Sequence, residues 1–288
     1  MTLAAKHQLE AIGTSWSIET PTPLSDKERQ RIAADVAAFS DAYSRFDQQS
    51  TVSRAARQAG SFAFPDSIIP MMALYQTLYA ATKGKVNPLI GASLEQLGYD
   101  QSYSLKPRGA AIPAPSLDTV QVQGSVLTFR TPALLDIGAI GKGHLIDHIA
   151  TSIGARHSTY VVDGSGDMAV HVATPQTIGL EHPADSTRII GIINLSQGAL
   201  AASAPNRRTW GNGLHHIIDA TTGAPANTGV LATWVVADSA LLADGLASAL
   251  FFAAPDTLQR YVGDFQYVIM REDGAVWHNI TTIGEIYA

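Results

Sequence analysis

Three groups of residues in this chain have types and spacings that could do chemistry. The first is the run Asp136-Ile137-Gly138-Ala139-Ile140-Gly141-Lys142-Gly143-His144-Leu145-Ile146-Asp147, three glycines and a lysine between two carboxylates. Pro132, Leu134 and Leu135 lead in like a short buried strand, and Leu145, Ile146, Ile149 and Ala150 follow at helical spacing. The run therefore predicts strand, glycine turn, helix. Such a turn exposes backbone N–H groups at a helix N-terminus, where the positive end of the helix favours a phosphate, and Lys142 adds a full charge. Asp136 and Asp147 would repel a bare phosphate unless a metal lies between or they hold another part of the ligand. The glycine offsets match neither the Walker loop nor the dinucleotide fingerprint. From the residues alone, a phosphate or nucleotide site and an ordinary tight connection both stay open.

The second group is Asp244 and Ser248, four residues apart in a small-residue segment, 237–252, that reads as a helix. A carboxylate and a hydroxyl at i and i+4 share one face, and two oxygen donors on one face suit a hard cation such as Mg2+. The plain alternative has Ser248 bonding back to a helix carbonyl and Asp244 meeting a lysine. The third group is His215 and His216, adjacent on a predicted strand. Neighbours on a strand face opposite ways, so the two do not easily grip one metal, and only one faces a site. Read plainly, His216 is a core or surface histidine.

The elements that must position these groups are readable in outline. A strand opens at 12–18, and Ser25 to Glu28 forms a capping box for a helix running through Ile32, Val36, Phe39 and Tyr43. A second helix over 65–82 carries the broad apolar stripe Ile68, Met71, Met72, Leu74, Tyr75, Leu78 and Tyr79, whose Met and Tyr residues are expected in the core. Residues 100–118 read as a surface excursion, and 120–129 as two short strands about Gly124-Ser125. Further strands are expected over 158–168, ending in a glycine turn, and at 178–183, 189–195 and 200–203. A closing hairpin turns at Asp273-Gly274.

Composition narrows the class. With 288 residues, 46% of them hydrophobic, the chain can bury a large core as one domain or two lobes. A net charge of -6 with dispersed Lys and Arg leaves no footprint for nucleic acid and no polybasic membrane patch. Cysteine is absent, which excludes disulfides, thiolate zinc sites and a lipid-modified cysteine. No apolar run is long enough for a signal peptide or a bilayer span, so a cytoplasmic location without a membrane anchor is expected.

The run at 136–147 resembles the Asp-Leu-x-Ala-Ile-Ala-Lys-Gly-Tyr-(x)2-Asp segment of the ApbE family, the FAD:protein FMN transferases. Other segments resemble that family in the same order. They are Ile12-Gly13-Thr14-Ser15-Trp16, the loop Phe46 to Arg54, Gly84 to Gly91, Asp163 to Asp167, Ile178 to Pro183, Leu214 to Pro225 and Asp244 to Ser248. The resemblance implies a single ApbE-like domain over 1–288, an α+β, T-fold-like arrangement of mixed sheets packed with helices, with FAD in a groove between two lobes. It implies Mg2+-dependent transfer of the FMN half of FAD to a threonine or serine hydroxyl of an acceptor protein, releasing AMP.

By the same resemblance, Mg2+ is held by Asp244, Ser248 and the backbone carbonyl of Ala139. Ile12 and Phe46 touch the flavin, and Asp136 holds its end of FAD. Lys85, Val86 and Asn87 contact adenine through the backbone, Lys142 serves the phosphates or pairs Asp147, and His216 is the base. Departures from the family pattern are Lys85, Val86, Asn87 in place of Asp, Ala204-Pro205 in place of a glycine, and Ser248 in place of Thr. They leave open two alternatives: an FAD-binding protein without transfer activity, or an FAD pyrophosphatase giving FMN and AMP.

Overall fold

The computed structural model describes residues 2–287. The chain opens with a hairpin, β1 (Ala5–Ala11) and β2 (Thr14–Thr20), and enters α1 (Asp26–Tyr43) and α2 (Thr51–Ala55). Next come β3 (Gly60–Ala63), α3 (Ile68–Ala81), α4 (Gly91–Gln96), β4 (Val120–Gln123), β5 (Val126–Phe129) and α5 (Gly141–Gly154). A β-rich stretch follows: β6 (Tyr160–Asp163), β7 (Met168–His182), β8 (Asp185–Ser203), β9 (Thr209–Trp210), β10 (Leu214–His215), β11 (Ile218–Asp219), β12 (Ala224–Pro225) and β13 (Val230–Ala237). The last elements are α6 (Ala240–Ala249), α7 (Pro255–Val262), β14 (Gln266–Arg271), β15 (Val276–His278) and β16 (Gly284–Ile286).

The main sheet is antiparallel with strand order β1-β2-β6-β7-β8-β13-β14-β15, and β16 pairs with β8. Its two faces are separated by the two-residue period of a strand. Ala169, Ala199, Ala201, Val235 and Ile269 join the core formed with α1, α3, α5 and α6. Their neighbours Val170, Leu200, Trp234, Val268 and Met270 build a second cluster on the opposite face, with Leu180, Ile190 and Ile193. Small residues on the helix face of β8 let α6 lie close to the strand. A second sheet, β3-β5-β4, has β4 and β5 joined by the turn at Gly124 and contributes Leu127 and Phe129 to the main core.

Where chemistry is local, sequence and structure agree. Ser25 and Glu28 make both halves of the capping box, and α3 buries Ile68, Met71, Met72, Tyr75 and Leu78. Four elements differ. The strands expected at 178–183, 189–195 and 200–203 are parts of one long hairpin, β7-β8, which absorbs the breaker Pro175 in a register shift between His171 and Gln176. Residues 132–137 form no strand and belong to no sheet. Their backbone makes single bonds instead, Ala133 N–H to the Ala55 carbonyl and Asp136 N–H to that of Pro88. Ile12 lies in the β1-β2 turn rather than in a strand, with φ 46°. The His215-His216 segment is not one strand: β10 ends at His215 and His216 sits on a bend before β11. Among the described residues no helix is long and apolar enough to cross a membrane.

Candidate functional site

The glycine turn at 138–140 joins Asp136 to α5, and both flanking carboxylates have partners inside the protein. Asp136 Oδ1 accepts the Gly138 N–H at 2.7 Å, and its Oδ2 accepts Nε–H of Arg45 at 2.6 Å. Asp147 reaches across to the next helix: its two oxygens accept the N–H groups of Ala240 and Leu241, each at 2.8 Å. A carboxylate there satisfies two of the free N–H groups of the first turn of α6 and faces its positive end. Asp147 is thus a cap borrowed from another helix. This corrects the expected Lys142–Asp147 pair. It also narrows the expected phosphate cradle, because Gly141 N–H bonds the Ile137 carbonyl and Gly143 N–H bonds Asp244 Oδ2.

Lys142 turns the other way, and its Nζ lies 2.8 Å from Asp167 Oδ2. Asp167 comes from the glycine turn between β6 and β7 and is 1% exposed, and its Oδ1 accepts the Ala202 N–H of β8. Asp244 is buried beside this pair on α6. Burial, and then repulsion from Asp167, push the Asp244 carboxyl well above the usual carboxylate range, with Lys142 and the Gly143 N–H working against that. For Lys142, burial opposes the charge, but the two carboxylates outweigh it and raise its pKa. With both carboxylates ionised the trio would carry one more negative than positive charge in a largely dry setting, and a bound cation would favour that ionised state.

Two more oxygens stand at the same corner. Ser248, one turn beyond Asp244, donates its hydroxyl to the Ala139 carbonyl at 3.5 Å, the outer limit of a hydrogen bond. Both residues are half-buried, next to exposed Gly138. Among the described residues no three His, Asp or Glu side chains gather as a metal cluster. The candidate donors are therefore one carboxylate, one hydroxyl and one carbonyl, and such a hard, incomplete oxygen set fits Mg2+, which keeps waters and phosphate oxygens as its other ligands. The corner exists because α5 and α6 touch at Gly143, where a Cβ would stand 2.1 Å from the Ala240 carbonyl oxygen and 2.8 Å from Asp244 Cβ.

Beside this corner lies an aromatic group. Phe46 packs against Tyr99 and Tyr103 with ring centroids 5.5 and 5.1 Å apart, and Tyr99 stacks on Trp210. The Arg45 guanidinium lies over both the Phe46 and the Tyr99 rings. Phe46 also lines an open polar cavity of about 470 Å3 with Gln48, Glu95, Asp100, Gln101, Ser102 and Arg108. The 85–88 segment bridges the two parts: Lys85 pairs with Asp219 at 3.3 Å and accepts the Ala220 N–H, while Pro88 accepts the Asp136 N–H. Val86 is buried. Asn87 uses both ends of its amide internally, accepting the Leu89 N–H and donating to the Pro115 carbonyl. Ile12 packs against the main core, and no hydrogen bond or ring contact joins it to the other site residues.

His216 bonds to the Arg208 backbone and lies within electrostatic reach of Asp136. Burial, followed by the Arg208 charge, pushes its pKa down to about 4, and Asp136 acts in the opposite sense. Its Nδ1 is buried without a hydrogen-bond partner. The ring is neutral at pH 7, the state a proton acceptor needs. His215 instead directs Nε2 to the Ala226 carbonyl at 3.2 Å.

The structure thus gathers Asp136, Ala139, Lys142, His216, Asp244 and Ser248, sets Phe46 and the 85–87 segment alongside, and holds Ile12 half-buried in the β1-β2 turn against the core. Sequence reasoning missed Arg45, Asp167 as the partner of Lys142, Arg208, Tyr75 and the capping role of Asp147. Tyr75, wholly buried, donates its hydroxyl to the Asp136 carbonyl at 3.2 Å. The available signal for Arg45 was an arginine set between Tyr43 and Phe46 at the end of an apolar helix face.

An antiparallel sheet roofed by helices, with carboxylate, hydroxyl, carbonyl and lysine converging at one glycine turn, defines an α+β protein with a polar corner between α5 and α6. The sequence profile of the ApbE family matches residues 12–269, and the chain belongs to that family. A relative from Klebsiella pneumoniae, called FAD:protein FMN transferase, is 22% identical over 302 residues, covering 96% of this chain and 84% of its own. One of the same name from Treponema pallidum is 26% identical, covering 77% and 73%. Among solved structures, an ApbE protein from Thermotoga maritima superposes with a TM-score of 0.81 at 22% identity, over 95% of this chain and 96% of that one. The flavin transferase ApbE from Vibrio cholerae gives 0.80 at 21%, over 96% and 97%.

Proposed function

We propose that this protein is an FAD:protein FMN transferase that moves the FMN half of FAD onto a threonine or serine hydroxyl of an acceptor protein. The observation that carries this reading is the meeting of Asp244, Ser248 and the Ala139 carbonyl beside the Lys142–Asp167 pair, with a neutral His216 within electrostatic reach of Asp136. Family membership and the relatives' name support it. In the reaction, the acceptor oxygen bonds to the phosphorus of the FMN half, the P–O bond to AMP breaks, and AMP leaves with the bridging oxygen. His216 takes the hydroxyl proton, which a neutral imidazole can do across the physiological range.

Asp244, Ser248 and Ala139 would hold Mg2+, whose chemistry is to neutralise charge building on the phosphate oxygens. Lys142 adds a fixed positive charge at the same corner, though Asp167 holds it in the resting protein. The Phe46 ring and Asp136 receive the flavin, and the backbone of 85–87 receives adenine.

The test mixes protein, FAD, Mg2+ and a candidate acceptor and looks for a flavin-fluorescent acceptor band. The expected result is a band that needs Mg2+ and is lost in His216→Asn, which still binds FAD. Free FMN and AMP with no labelled acceptor would instead show a pyrophosphatase. Bound FAD with neither product would show a binding protein.

A further inference from the structure

Arg45 is the most deeply buried cation of the site, 4% exposed, yet its hydrogen bonding is incomplete. Nε–H donates to Asp136 Oδ2 at 2.6 Å, Nη1 donates to the Tyr99 carbonyl at 2.6 Å, and Nη2 is buried without a partner. The guanidinium carbon is 4.2 Å from the Phe46 ring centroid and 4.4 Å from that of Tyr99, so the two rings hold the group in place. Leaving a charged N–H unsatisfied in a dry site is costly, and such groups in native proteins call for an explanation. Burial behind aromatic rings also makes a poor general anchor for the fold, since an apolar side chain of similar size would pack there with no desolvation cost.

The planar chemistry of arginine says what is missing. Nε–H and one N–H of Nη2 lie on the same edge of the guanidinium and point the same way. On that edge the first N–H is engaged by Asp136 and the second is free, so a free donor stands next to a carboxylate acceptor that still has lone pairs. A group that fills both has a carbonyl oxygen beside an N–H, which is the pattern of an imide. The isoalloxazine ring of a flavin has this pattern at its pyrimidine edge, where N3–H lies between two carbonyls.

We propose that Arg45 is a specificity residue that, together with Asp136, reads the imide edge of the flavin: Nη2–H donates to a ring carbonyl while the Asp136 carboxylate accepts N3–H. This rests on the flavin reading of the site and goes beyond it by naming the residue and the part of the ring it recognises. Phe46 and Tyr99 then serve to clamp the arginine in the plane the ring needs. Two parallel bonds to a charged pair confer selectivity because an analogue lacking the N3 donor leaves the remaining lone pairs of Asp136 facing a group that cannot donate to them.

The experiment compares riboflavin, N3-methylriboflavin and AMP as ligands, by flavin fluorescence for the first two and calorimetry for the third. The wild type is expected to bind N3-methylriboflavin about 10- to 100-fold more weakly than riboflavin. Arg45→Lys, which keeps the charge but loses the parallel N–H pair, is expected to weaken riboflavin about tenfold or more, to shrink the discrimination between the two flavins, and to leave AMP affinity unchanged. Equal wild-type affinity for the two flavins overturns the proposal without any variant, so a misfolded mutant cannot shield it. Riboflavin affinity unchanged in Arg45→Lys, or lost in step with AMP affinity and thermal stability, also overturns it and leaves Arg45 a packing residue. Failure of the transfer reading looks different: flavin discrimination persists while no acceptor is labelled.

Discussion

Gly143→Ala tests the contact on which the oxygen-donor corner depends. The added Cβ would lie 2.1 Å from the Ala240 carbonyl oxygen, 2.6 Å from its carbon and 2.8 Å from Asp244 Cβ. Two of these neighbours are backbone and the third is the root of a side chain, so none can swing aside. Reaching even 3.0 Å, the lower limit of real Cβ contacts, requires α5 and α6 to part by about 0.9 Å. In an exposed helix interior the same change would add about 0.8–1.0 kcal/mol of helix propensity. Here overpacking costs about 1–3 kcal/mol, so the net expectation is a loss of up to about 2 kcal/mol. The catalytic effect is the larger one, because Asp244 and Ser248 travel with α6 while Ala139 stays with α5. A misplacement near 1 Å costs on the order of 100-fold in rate. The assay is Mg2+-dependent labelling of an acceptor together with a denaturant midpoint. Gly154→Ala, at the far end of α5 where a Cβ meets only the Tyr160 ring at 3.2 Å, is the control. A Gly143→Ala protein with wild-type labelling and an unchanged or raised midpoint would refute the argument.

Other perturbations follow from the buried charges. Lys142→Met leaves Asp167 and Asp244 facing each other without their cation; the expected loss is about 2–4 kcal/mol, below the 3–5 of fully buried pairs because the lysine side chain is 25% exposed. Adding Asp167→Asn should restore most of it, and a double variant no more stable than the single would rule this out. Asp147→Asn removes one acceptor from the first turn of α6 and is expected to cost about 1.5–3 kcal/mol in denaturant unfolding. An unchanged midpoint would show that the cap contributes nothing. Burial pushes the His216 and His144 imidazoles of the folded protein down to about 4, from an ordinary value near 6.5. Between these values the unfolded chain binds protons that the folded one refuses, so their contribution is complete above about pH 6.5 and declines as pH falls toward 4. His216→Asn should flatten that decline between midpoints measured at pH 7 and 4.5, and a slope identical to wild type would contradict it.

What could be read from the chain was governed by whether the deciding chemistry was local. The capping box at Ser25, the stripe of α3 and the turn at Gly124 are set by neighbours within four residues. So is the shared face of Asp244 and Ser248. The partner of Lys142 is not: Asp147 stands one helical turn away in sequence, but its oxygens are claimed by α6, 93 and 94 residues distant. Arg45 meets Asp136 across 91 residues, so no spacing rule points from one to the other. Leu134 and Leu135 look like a strand because burial demands the same apolar residues whether or not a sheet receives the backbone. Pro175 looks like a boundary between strands because sequence shows a breaker without showing that a long hairpin can bulge around it. β13 and α7 passed unnoticed for opposite reasons, the first lying against the 237–252 segment and the second burying only Leu258.

The cap that Asp147 lends to α6 has a consequence for biosynthesis. During elongation α5 can form soon after it emerges, but its carboxylate waits for residues 240 and 241, and the donor corner waits for Ser248. Until then Asp147, Asp167 and Asp244 are not brought together. The emerging chain therefore does not assemble the proposed donor corner until residues 240–248 have been made, when β8 and β13 can close the sheet beneath α6. Assembly of the corner belongs to the late, long-range phase of folding, which contact order makes slow. A nascent or truncated chain ending before α6 would keep the glycine turn and its lysine, yet lack the two side-chain oxygens that complete the site.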